Sequence, residues 1–70
     1  MDAPTRAQIH RFVVTPLAPA GATGEQLDAA TDALLERAPL ATWSCDGHWY
    51  STDEVTFEEL QRIVNEVVGG

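Results

Sequence analysis

At 70 residues, with eleven acids, four arginines and no lysine, the chain carries a net charge of −7. That sign opposes contact with a phosphate backbone or an anionic membrane surface, which are engaged through clustered lysine and arginine. A domain this short buries only about 60% of its unfolded surface, which leaves little room for an enclosed active site, and a single cysteine excludes an internal disulfide.

Residues 1–6 read as a flexible N-terminal tail, residues 7–68 as one domain, and residues 69–70 as a flexible end. Ala7–Thr15 contains Ile9, Phe12, Val13 and Val14 and runs into Pro16. This density of β-formers ahead of a proline predicts a strand. Residues 16–22 hold two prolines and a glycine and read as a loop. Thr23-Gly24-Glu25-Gln26 matches a capping box. Leu27, Ala30, Leu34 and Ala38 follow at helical spacing, and Pro39 stops the helix near Arg37.

Asp46-Gly47 is a strong hairpin signal, because both central residues of a type I′ turn need positive φ. With those two as the turn, Cys45 faces His48, Ser44 faces Trp49, and Trp43 faces Tyr50, between strands Leu40–Cys45 and His48–Asp53. Thr56-Phe57-Glu58-Glu59 is a second capping box. It opens a helix whose buried stripe is Leu60, Ile63, Val64 and Val67.

The order β-α-β-β-α predicts an α+β domain with a three-stranded sheet and both helices on one face. It resembles a ferredoxin-like unit that lacks its last strand. In that layout Ala7–Thr15 is an open sheet edge, and Phe12, Val13 and Val14 lie at a seam where a second copy pairs to give a homodimer.

Cys45 and His48 invite two chemical readings: a thiol activated by an imidazole, or half of a zinc site. Against both stand the exposed hairpin tip, the lack of a second ligand pair, and the use of cysteine as a small packing residue. No cofactor or metal is expected. Glu25, Asp28, Asp32 and Glu36 recur at spacings that put four acids along one face of a helix. That stripe reads either as solvated surface or as a recognition face for a basic protein. Trp43, Trp49 and Tyr50 crowd one hairpin, and large aromatics at a surface mark interfaces.

The expected function is that of a non-enzymatic, small acidic protein-interaction module. It would be an accessory subunit, binder or inhibitor of the phage or mobile-element kind, acting on a basic protein surface. Trp43, Trp49, Tyr50 and the four acids are its candidate contact residues. The alternative is a small thiol- or metal-dependent protein using Cys45 and His48. No apolar run is long enough to span a membrane, the N-terminus lacks the regions of a signal peptide, and a lone cysteine suits a reducing compartment. Those features point to the cytoplasm.

Overall fold

Thr5 marks the first departure from the expected fold. Its hydroxyl accepts from the Gln8 amide at 3.2 Å, and Gln8 Oε1 accepts from the Thr5 amide at 2.8 Å. This capping box starts a helix within the residues read as a tail. The computed structural model describes residues 3–46 and 49–69, with the side chains of Asp46 and Trp49 outside that description. In it, residues 6–17 form one helix, α1. It is α-helical at Arg6–Ile9, widens to a π-helix at His10–Val14, and closes with an α-turn at Thr15–Leu17.

Pro16 explains the widening. A proline in a regular α-helix has no amide to donate and crowds the carbonyl four residues back. Here the preceding turn is of the wider i to i+5 kind, with the Thr15 amide donating to the His10 carbonyl. The Thr15 hydroxyl donates to that same carbonyl at 2.8 Å.

The strand expected at Ala7–Thr15 is therefore a helix, and burial is what decides it. Ile9, Val13 and Leu17 recur every four residues, with Val14 beside them on the same face. Ile9 and Val14 are fully buried. β-branched residues give up only a few tenths of a kcal/mol each in a helix, whereas burying one contributes about 1.5–3 kcal/mol. The open strand edge assigned to Phe12, Val13 and Val14 accordingly does not exist. Val13 and Val14 belong to the core, and Phe12 faces outward.

Helix α2 spans Gly24–Arg37 and is capped as its sequence predicts, with the Thr23–Gln26 box complete. Helix α3 spans Phe57–Gly69. Its cap is half of the expected box. The Thr56 hydroxyl accepts from the Glu59 amide at 3.2 Å, but the Glu59 carboxylate turns to Arg37 at 3.4 Å. That ion pair joins the end of α2 to the start of α3, and Gln26 Nε2 donates to the Val68 carbonyl at 3.2 Å at the other end. The two helices thus pack antiparallel.

Between them a 3-10 turn at Leu40–Thr42 leads into β1, Trp43–Asp46, which pairs antiparallel with β2, Trp49–Thr52. Among the described residues this two-stranded sheet is accompanied by three helices. The three-stranded, ferredoxin-like βαββα arrangement with two helices on one face is thereby overturned. The register also differs from the expected one by a residue. Cys45 faces Tyr50, Ser44 faces Ser51, Trp43 faces Thr52, and Asp46 faces Trp49. The connection is thus 47–48 rather than Asp46-Gly47, and its own structure lies outside the described residues. Moving the turn by one residue changes every cross-strand neighbour.

One core joins all the elements: Ile9, Val13 and Val14 from α1, Ala30 and Leu34 from α2, Ala38 and Trp43 beyond it, and Val55, Leu60 and Val64 at α3. Trp43 is 3% exposed, and its indole Nε1 donates to the Ala38 carbonyl at 2.9 Å. That bond satisfies a carbonyl at the end of α2 and ties the hairpin to it. Among the described residues, no helix is long and apolar enough to cross a membrane.

Candidate functional site

The acid stripe of α2 divides into two halves. Asp32 Oδ1 accepts from Arg6 Nε at 3.0 Å and from Nη2 at 2.8 Å. Asp28 Oδ1 lies 3.7 Å from Arg6 Nη1 and 3.3 Å from His10 Nε2, and the Asp28 carbonyl accepts from Arg6 Nη2 at 3.3 Å. The hydrogen bond to Asp32 is the largest of the influences that raise the Arg6 guanidinium above its ordinary pKa. All four acids are exposed, but Asp28 and Asp32 join α1 to α2 through Arg6 and His10, whereas Glu25 and Glu36 lie outside that cluster. Glu25, in the first turn, also complements the positive end of the helix.

The aromatic candidates separate as well. Trp43 is a core residue with its polar atom satisfied. Trp49 is placed only through its backbone pairing with Asp46. Tyr50 is half-buried and stacks on Phe12 of α1, ring centroids 5.8 Å apart and planes 7° from parallel. Arg11 lies over the Phe12 ring, its guanidinium carbon 5.5 Å from the centroid. Phe12 is nevertheless 52% exposed, and Phe57, at the start of α3, is 65% exposed.

These rings border a groove of 260 Å³ lined by Phe12, Val13, Pro16, Leu17, Tyr50, Phe57 and Leu60. Its walls come from three separate elements, which a binding cleft needs if it is to hold shape. Apart from the Tyr50 hydroxyl, the lining side chains are hydrocarbon. Partial burial, then the neighbouring Cys45 thiol, pushes the Tyr50 phenol above its ordinary pKa. The arrangement can desolvate an apolar group. A wider hollow of 520 Å³ along the outer face of α3, by Glu58, Arg62, Asn65 and Glu66, is walled by that single helix and by polar side chains.

Of the groove residues, sequence reasoning singled out Tyr50 as a contact residue and gave Phe12 and Val13 to a strand edge. Phe57 was missed although a signal exists. It precedes Leu60 by three positions and so extends the buried stripe of α3, one turn past the point where the core ends. Leu17 carries the matching signal in α1, four residues after Val13.

Across the ladder Cys45 opposes Tyr50, and the expected Cys45–His48 pairing rests on His48, which lies outside the described residues. Among the described residues, no group of three or more His, Cys, Asp or Glu side chains is placed to hold a metal ion. Comparison with family models, curated proteins and solved structures finds no match to this chain.

Proposed function

We propose that the protein is a non-enzymatic, acidic protein-interaction module that works in the cytoplasm by occupying a basic protein surface, as an accessory subunit, binder or inhibitor. The groove between α1, β2 and α3 is its docking site. The observation that carries this reading is the exposure of Phe12 and Phe57 on either side of an apolar cleft. Small folds bury such rings when they can, and a cluster of them at the surface marks an interface.

Charge supports the partner's chemistry. At −7, with Asp53, Glu54 and Glu58 exposed around Phe57, the surface favours a partner that sets basic groups around an apolar anchor. The same charge disfavours nucleic acid and anionic membrane. Glu25 and Glu36, left out of the clamp on α1, add a second acidic area that steers approach.

The test is capture of host proteins on the immobilised chain, run beside a Phe12→Ser/Phe57→Ser variant. A protein held by the wild type, released by the double variant, and held less as salt rises supports the reading. A protein held equally by both removes the groove from it.

A further inference from the structure

We infer that the groove is filled by an extended, basic segment of the partner that adds to β2 as a third strand; this inference rests on the interaction reading above. In a hairpin with a two-residue connection, the residues flanking the connection exchange both backbone hydrogen bonds, and the pairs alternate from there. Asp46 and Trp49 flank it here. Ser44 and Ser51 are then the next bonded pair. Cys45 with Tyr50, and Trp43 with Thr52, are the alternate pairs whose amides and carbonyls point away from the partner strand. Tyr50 and Thr52 therefore direct their backbone groups to the outer edge of β2, which no third strand covers among the described residues. The ring of that same Tyr50 lines the apolar groove. Edge and groove meet at one residue.

An added strand would bond to Tyr50 and Thr52 and turn every second side chain toward the groove. At 260 Å³ the groove is smaller than the roughly 300–1,000 Å³ of small-molecule pockets, and its size suits a large apolar side chain used as an anchor. Asp53 and Glu54 directly follow β2 and Glu58 is the second residue of α3, all exposed, so the segment carries arginine or lysine beside its anchor. A second copy of this chain is a poorer occupant, because each copy brings a charge of −7.

The experiment uses a short synthetic peptide of alternating arginine and phenylalanine, and the same peptide with the backbone nitrogens that would face β2 methylated. The expected result is binding that slows hydrogen exchange at the Tyr50 and Thr52 amides and weakens roughly tenfold or more on methylation. Equal binding of both peptides without protection at those amides overturns strand addition and leaves the groove reading standing. Failure of the unmethylated peptide to bind overturns the basic extended segment, while the groove reading is still judged by the capture experiment. A dimer seen by light scattering, with the same two amides protected in the absence of peptide, assigns the edge to a second copy and also overturns the inference.

Discussion

Arg6 reaches from α1 to α2 and gives two of its donors to a single oxygen of Asp32, Nε at 3.0 Å and Nη2 at 2.8 Å. The contact joins the segment most at odds with the sequence-based expectation to the helix best specified by it. Arg6→Asp should lower the thermal midpoint by placing a third negative charge beside Asp28 and Asp32. Adding Asp32→Arg should recover most of the loss. Both groups are solvent-facing, so the effect should shrink as salt rises. Melting curves at low and high ionic strength check this, and a midpoint insensitive to Arg6→Asp would remove the clamp from the account.

The division of the acid stripe gives a kinetic prediction. Glu25→Lys with Glu36→Lys should slow association with the captured partner at low salt, because long-range charge acts mainly on encounter. The melting curve should move little, since the lysine at the positive start of α2 is offset by the one near its negative end. Stopped-flow mixing measures the association. Equal on-rates for variant and wild type at low salt would make these two acids solubilising surface only.

Trp43 is the hairpin's anchor, and its replacement should be felt across the domain. Trp43→Phe leaves the buried Ala38 carbonyl without its indole donor, at a cost of about 1–3 kcal/mol. Trp43→Ala should cost about 3–5 kcal/mol. A domain of this size has about 4–10 kcal/mol of stability in all, so the alanine variant should be largely unfolded in mild urea. Denaturant midpoints for both variants close to the wild type would contradict the buried placement.

How the sequence encodes this fold is uneven along the chain, and the unevenness has physical causes. Helices α2 and α3 are legible because Thr23 and Thr56 announce them and the apolar residues that follow keep helical spacing. Helix α1 carries the same kind of announcement at Thr5 and Gln8. It is masked by three consecutive β-formers, Phe12, Val13 and Val14, and by a proline that a regular helix rejects. Burial of Ile9 and Val14 outweighs those local preferences, and the π-turn accommodates Pro16. The hairpin is legible but its register is not, since Asp46-Gly47 and the observed connection differ by one residue. The observed register sets opposite Cys45 a tyrosine whose ring stacks on Phe12, a contact that exists only once α1 is a helix. The groove was legible only in part, because it needs α1 to be a helix before Phe12 can meet Tyr50.

The chain's only tyrosine permits an unambiguous titration. The Tyr50 phenol is raised, so its ionisation should be centred above pH about 10. A phenol raised in the folded state contributes stability fully below the unfolded value, and that contribution is lost as pH climbs through the folded value. Ultraviolet absorbance against pH should show a midpoint that falls back to the ordinary value in urea. The Cys45→Ala variant should move it part of the way down. A folded midpoint at or below the denatured one would contradict the environment described for this ring.

The central claim is that the Phe12–Tyr50–Phe57 groove is where the protein binds, and Phe57 tests it most directly because its ring is 65% exposed and its loss leaves the core intact. Calorimetric titration of the captured partner against wild type and Phe57→Ser gives the comparison. The account predicts a loss of about thirtyfold in affinity, the ~2 kcal/mol of an interface hot spot, with an unchanged melting curve. Equal Kd values for the two proteins would contradict it.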